Sequence, residues 1–401
     1  MTALRDLIKD PSGAELELVA QYGSFAEDAR RERAFKAFAT NGLPHRRMEA
    51  FKWTDFKAKL KTLEGGKTHR ADPFSGLDAH VITVTPKGIS GLDNLPAGLR
   101  MVTRDDGVAF GASEDVPLGA LTAALTKKTI MFDISETPPQ AIRLVYQGAG
   151  TTMFSRFVFV VRPNVDLSVF ESHLGGAAMN ASLVRFDVKE GARVERTLVQ
   201  PAALGEAMAI TAEVQIDEGG HYTQTALAFG ADVARIETRL VHQQTGTQAV
   251  LNGAYLAADG HHIDFTSHVR HGARDCVTKQ RTKGAVLNGG TGVFQGKFHV
   301  PRNVGQRTDA DMQHNALLLE DGAVVNAKPE LEIYADDVEC AHGNTCGALD
   351  AEALFYMRQR GISELQAKAM LTEAFISEAL ETAPEAARDI LLSAAQDWLA
   401  L

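Results

Sequence analysis

The sequence predicts a mainly β protein, a parallel β-helix core flanked by helical regions at both ends, and three observations carry that expectation. From about residue 151, short segments rich in Val, Phe, Thr and Leu (157–161, 183–188, 194–199, 214–216) alternate with turn residues, and no long amphipathic helix interrupts them. Gly191, Gly219, Gly246 and Gly272 recur at intervals of 28, 27 and 26 residues by subtraction, as expected if each unit is one rung of a coil. Asn-Gly hairpin signals occur only at Asn41-Gly42, Asn252-Gly253 and Asn288-Gly289, which is sparse for a stack of antiparallel hairpins. One rung alone would be unstable, because its inward apolar residues are covered only by the rungs on either side.

The first 60 or so residues read as helical, with apolar positions at Ala34, Phe35, Phe38 and Ala39, and Asn41, Gly42 and Pro44 break the pattern. Residues 65–150 carry short apolar runs (81–84, 101–102) among Gly, Pro and Asp, which predicts short strands and long connections. After the strand-rich region, Asp350 can cap a helix from Ala351 that stops at Arg360-Gly361, and Ser363 with Gln366 forms a capping box for the next. That second helix would carry Ala367, Met370, Leu371, Ala374 and Phe375 along one face, and Pro384 opens a last short helix ending near Trp398. The expected division is a helical region at 1–75, a β-helix at 76–349 with regular rungs from about 151, and a helical domain at 350–401.

With 401 residues, 45% of them hydrophobic and 23% charged, the chain can bury a large core and is not a disordered one. A net charge of -10 argues against nucleic-acid binding, which needs a basic surface. The opening MTALRDLIKDPSG lacks the apolar core of a signal peptide, and no run approaches the roughly 20 apolar residues of a membrane span. The expectation is therefore a cytoplasmic protein with no membrane partner. Three cysteines do not make a disulfide framework, so the thiols are expected to be reduced.

The densest chemistry lies in 328–350, KPELEIYADDVECAHGNTCGALD, which gathers Cys340, His342 and Cys346 behind Asp336, Asp337 and Glu339. Thiol and imidazole donors suit iron or zinc. On a strand, Cys340 and His342 share a side with Cα atoms roughly 6.6 Å apart. The alternative is a buried cysteine beside a hydrogen-bonded histidine at a corner of the coil. The nearby acids disfavour a free thiolate, so coordination suits the site better than covalent catalysis.

Elsewhere, Cys276 reads as a small core residue. His261, His262, His268 and His271 form the densest histidine cluster, but HxxH spacing suits a helix and the surroundings read as strand and turn, so rung and corner positions are expected. Gly289, Gly290, Gly292 and Gly296 before Lys297 fail as a phosphate loop, since Thr291 stands where its first glycine belongs and Phe298 replaces the Ser or Thr. Asp309 and Asp311 read as a solvated corner in preference to an acid and base pair.

The block from Thr282 to Ile362, with VFQGKFHV, QRTDADMQHNALLL, KPELEIYADDVECAHG and LFYMRQRGI, resembles the SufB/SufD family of iron-sulfur cluster assembly proteins, its SufD branch more than its SufB branch. The resemblance is strong over about residues 264–380. Upstream, EAFKWTD (49–55) is similar to the E-x-W-[KR]-[YF]-T element of SufD proteins, with Phe51 where that element has Trp and Trp53 at its aromatic position.

The resemblance implies a right-handed parallel β-helix and a non-catalytic scaffold that pairs with SufB. It also implies that the C-terminal helical domain docks the ATPase SufC, whose closure rearranges the SufB-SufD interface where a cluster is built. The pattern C-x-H-G-x-T falls on Cys340, His342, Gly343 and Thr345, which implies His342 as an iron or cluster ligand and Cys340 as an accessory one. Cys346 departs from the pattern, and a buried structural thiol is expected there. A cluster usually needs four ligands, so an incomplete set fits a transient iron or iron-sulfur cluster completed by the partner, with none stably bound in the isolated chain. A homodimer of the isolated chain stays open.

In the last helices, Leu354, Phe355, Met370 and Phe375 are expected in the core, with the exposed apolar positions of 367–380 facing SufC. Two other readings are a SufB-like paralogue and a polysaccharide-active β-helix enzyme. Against the first stand C-x-H-G, where SufB carries H-E, and the lack of a cysteine at 313–319; against the second stand the missing export signal and the lack of a convergent acid cluster.

Overall fold

The structure, a computed structural model, describes residues 8–66, 68–102 and 115–400; residues 1–7 of the opening segment lie outside them. Its strands form one sheet of ten and one of nine. From Thr129–Ile134 onward, successive strands go alternately to the two sheets, and each pairs in parallel with the strand two places away in the chain. This is a parallel β-helix of about eight turns, with two flat faces and a packed interior.

The register of the turns is set by a column of left-handed residues at one corner. Asn164, Gly191, Gly219, Gly246, Asp275 and Arg307 all have φ between 55 and 69°. Each of the first four donates its N–H to a carbonyl of the turn above, Asn164 to Glu190, Gly191 to Glu218, Gly219 to Thr245 and Gly246 to Arg274. Glycine takes this conformation without a Cβ penalty. The expected period therefore holds for three of its four glycines, and Gly272 is corrected: Asp275 occupies the corner there. The bidentate pair Arg307 to Asp275, with Nη2 to Oδ2 at 2.6 Å, staples the last two corners of the column together.

The interior is apolar where the rungs begin, with Phe132, Phe157, Phe159 and Phe186 stacked along the axis at centroid spacings of 5.2 to 6.4 Å. This first end is closed: strands Gly88–Ser90 and Leu99–Val102 turn back antiparallel, and Ile89, Leu92, Leu95 and Met101 cover the core. At the other end, Val324–Ile333 and Val338–Gly347 are the terminal strands of their sheets, and no strand among the described residues pairs with their outer edges. Free parallel edges of this length are unusual unless something covers them.

Helices Gly13–Tyr22 and Ala29–Ala39 form where expected, with Ala34, Phe35, Phe38 and Ala39 buried and Gly42 at φ 71° ending the run. One element departs from the expectation for 65–150: Pro117–Leu125 is a helix with every residue buried. It is apolar all round, so it shows no helical periodicity to read. It packs with the first helices on the outer face of the nine-stranded sheet, against Met179, Ala181, Ala207, Ala209 and Val233.

The 49–55 element runs as a strap across four successive strands of that face. Arg235 Nη1 and Gln295 Nε2 donate to the Ala50 carbonyl at 3.1 and 3.2 Å, and the Arg235 guanidinium lies 4.1 Å from the centre of the Phe51 ring. Thr54 Oγ1 donates to Asp264 Oδ2 and contacts His262 Nε2 at 3.0 Å, and Lys328 pairs with Glu49 at 3.0 Å. Thr54→Val keeps the shape but leaves the fully buried Asp264 one donor short. A loss of about 1–3 kcal/mol in urea unfolding is expected, with faster proteolysis of the helices before the strap.

At the C-terminal side, Asp350 caps Ala351–Gln359, Gly361 follows at φ 84°, and the Ser363/Gln366 capping box opens Glu364–Ser377. Glu385–Leu399 follows with Pro384 as its N-cap, within one residue of the expected limits. Ile376, Leu380, Ala387, Leu391 and Trp398 pack on the outer face of the ten-stranded sheet, against Phe170, Leu227, Leu256 and Ala285. Lys283, pairing with Glu378 at 2.8 Å, and Thr382, contacting Thr225 at 2.8 Å, fix that dock. No helix among the described residues is long and apolar enough to cross a membrane.

Candidate functional site

The terminal strand Val338–Gly347 lies on Thr308–Leu318, whose inward positions Ala310, Met312, His314 and Ala316 are all buried. Register sets Cys340 over Ala310, His342 over Met312, Asn344 over His314 and Cys346 over Ala316. In parallel register, facing residues share a side, so Cys340, His342, Asn344 and Cys346 form the inward column of the last rung. No further rung follows among the described residues, so the column lies open: Cys340 is half-buried against the core, and His342, Asn344 and Cys346 are exposed.

Cys346 is thus corrected from a buried structural thiol to an exposed one, because the free edge uncovers a position that would be interior in any earlier rung. Burial first, and the Asp309 carboxylate second, push the Cys340 thiol up, and burial pushes the Cys346 thiol up. Both are therefore thiols unless a cation draws the proton off. The expected acidic neighbour acts, but through Asp309 across the register. On the opposite side of the strand Gly343 faces Gln313, and a Cβ there would stand 2.2 Å from Gln313 Oε1, so the glycine makes room for that side chain. Among the described residues, no three His, Cys, Asp or Glu side chains converge as a metal site. Cys340, His342 and Cys346 share a face and do not form a closed set, because alternate strand positions are spread along the rung.

The other motifs resolve as rung chemistry. Cys276 is fully buried, with Thr247 Oγ1 at 3.3 Å from its sulfur. His268 and His271 lie on one strand with odd spacing and so face opposite sides. His271 is inside, stacked on His242 at 4.9 Å and bonded to Thr278, while His262 meets the strap. Gly284 and Gly292 make a slot for Tyr255, since a Cβ at either would come within 2.3 Å of its ring. Asp309 and Asp311 lie on a strand, a correction to the expected corner, and are engaged by Lys279 and Gln313.

Two groups escaped the sequence reading. His314, fully buried, bonds Tyr255 and Asn344. Deeper inside, Arg196 makes a bidentate pair with Glu171 at 2.7 and 2.9 Å, and His173 bonds the same carboxylate at 2.9 Å. A signal existed in the alternation: Arg196 keeps inward parity with Val194 and Leu198, and His314 with Ala310 and Met312.

On the C-terminal helices, Phe355 and Met370 are corrected from core to surface, 64% and 51% exposed, beside Tyr356 and Leu365 at 59% and 73%. Ala374 is also exposed, while Leu354 and Phe375 are half-buried. The buried stripe is instead Ala367, Thr372 and Ile376, since Ala351–Gln359 has no buried residue and leaves the adjoining face of the second helix uncovered.

Fold and site together define a β-helical protein with thiol and imidazole side chains on an open sheet edge and a second, apolar surface on its last helices. Residues 144–375, more than half of the chain, match the SUF system FeS cluster assembly SufBD core domain, and the chain belongs to this family of iron-sulfur cluster assembly proteins. It is 37% identical over 153 residues to the iron-sulfur cluster assembly protein SufD of Escherichia coli, covering 38% of this chain and 36% of that one. A SufBD family protein of Synechocystis is 29% identical over 245 residues, 57% and 53% of the two chains. One of Mycobacterium tuberculosis is 27% identical over 261 residues, 63% and 65%. The matched stretches thus span about one third to two thirds of those relatives' lengths.

Proposed function

We propose that this chain is a SufD-type, non-catalytic scaffold subunit of an iron-sulfur cluster assembly complex. Its open rung pairs with SufB, and its C-terminal helices dock the ATPase SufC. The observation that carries the reading is the uncovered last rung, which bears Cys340 and His342 on a face that would be interior if another surface closed it. His342 serves as an iron or cluster ligand and Cys340 as an accessory one. A partner supplies the remaining donors, so the isolated chain holds no cluster stably. Phe355, Tyr356, Leu365 and Met370 supply the apolar stripe that helix-face docking uses. Because the ligand strand and the helical dock are joined through 348–350, movement of the docked ATPase has a short route to the open rung.

Co-expression with SufB and SufC tests this reading. The expected result is a stable complex, in which His342→Ala keeps the stoichiometry and lowers iron and sulfide content several-fold. Unchanged iron and sulfide in that variant would remove His342 from the site, and failure to associate with either partner would overturn the scaffold reading.

A further inference from the structure

The inner face of the terminal strand is tied to the rung beneath by a histidine in the β-helix interior. His314 lies between the Phe294 ring, 4.7 Å away and 3° from parallel, and the Tyr255 ring, 6.0 Å away at 15°. Tyr255 fits there because Gly284 and Gly292 lack side chains. Both ring nitrogens of His314 are engaged. Nδ1 lies 2.7 Å from Asn344 Oδ1, an acceptor, so Nδ1 carries the proton; Nε2 then accepts from the Tyr255 hydroxyl at 2.9 Å. The acceptor on Asn344 thus sets the tautomer, which aims one donor from the interior at the open rung.

Asn344 is the inward residue next after His342, on a strand whose other edge pairs with no strand among the described residues. On the outer face, Asn315 Nδ2 donates to Thr345 Oγ1 at 2.7 Å. Between them these bonds grip the strand just beyond His342.

We propose that His314 is a positioning residue, which holds Asn344 from within the β-helix and so sets the place of the terminal strand and of His342 on it. The consequence for the cluster rests on the proposed role of His342; the holding of the strand does not.

Hydrogen exchange on the full chain tests the holding. Asn344 is exposed, so Asn344→Ala leaves the fold intact. Loss of one hydrogen bond is expected to speed amide exchange in 338–347 about five- to tenfold, and to shift the His342 imidazole resonances. His314→Phe, which keeps an aromatic slab, gives the same acceleration, and the double variant is no faster than either single one. Asn344→Asp keeps an acceptor oxygen and restores protection. Unchanged exchange in Asn344→Ala, additive effects in the double variant, or no rescue by Asp would each overturn the proposal.

In the complex with SufB and SufC, Asn344→Ala is expected to lower iron and sulfide at unchanged stoichiometry, with recovery in Asn344→Asp. If His342→Ala lowers both and Asn344→Ala does not, the positioning role fails. If His342→Ala itself changes nothing, the ligand assignment fails while the exchange result stands.

Discussion

Arg196→Ala is expected to destabilise the protein by about 3–5 kcal/mol, because it strands a buried carboxylate. Glu171 and Arg196 are both fully buried inside the β-helix. Burial pushes the Glu171 carboxyl up, but Arg196 and His173 outweigh it and hold it down at about 2. Arg196 Nη1 also donates to Gln224 Oε1 at 2.8 Å, and that oxygen accepts from Tyr222 and Thr238, at 3.1 Å each. Removing the guanidinium therefore leaves a charge without its counter-ion and an amide network without its anchor. Replacing both partners, Glu171→Met with Arg196→Met, is expected to cost less than Arg196→Ala alone, since no unpaired charge remains. Urea unfolding of the three variants checks the order; a double variant as unstable as Arg196→Ala would show that packing, and not charge, sets the cost.

The second large effect is acid lability well above the carboxylate range. His271 and His314 are fully buried, and burial pushes each imidazole down to about 4, partly offset for His271 by a backbone bond and for His314 by Asn344. An unfolded histidine titrates near 6.5. Above that pH neither state takes the proton and stability is unaffected. As the pH falls from about 6.5 towards 4, the unfolded chain binds protons that the folded one refuses, and each histidine withdraws up to about 3 kcal/mol. His242, pushed well below its ordinary value by burial and by His271, acts in the same direction. Glu171 and Glu237, both held near 2 against the effect of burial, withdraw their contribution only below about pH 4.5. The urea midpoint should therefore drop steeply between pH 6.5 and 4.5, and less steeply in His271→Phe. A flat midpoint across that interval would show that these imidazoles are hydrated in the folded protein.

Local chemistry made much of the molecule readable. Asp350, Gly361, Ser363 and Gln366 act within one turn of their own positions, so the C-terminal helix limits follow from the residues themselves. Three of the four corner glycines mark true rungs because a left-handed corner selects glycine strongly. Gly272 misled because Asp275, three residues on, takes that conformation instead. The Pro117–Leu125 helix was hidden because burial on every side erases the periodicity that identifies a helix. The exposure of Phe355 and Met370 was hidden for the opposite reason: an apolar residue looks the same in sequence whether a neighbouring element covers it or not.

The sequence by itself determined the β-helix, the flanking helices and the strand that carries Cys340 and His342, since these follow from alternation, period and caps. Its place at the end of the β-helix also follows, from the helix cap at Asp350, but only the tertiary structure decided that no strand among the described residues covers it. The exposure of Cys346 and the grip of His314 on Asn344 follow from which rung lies beneath and from the absence, among the described residues, of one above. Such facts belong to residues about 30 positions apart in the chain, 314 and 344 among them, which become neighbours only when the coil is wound.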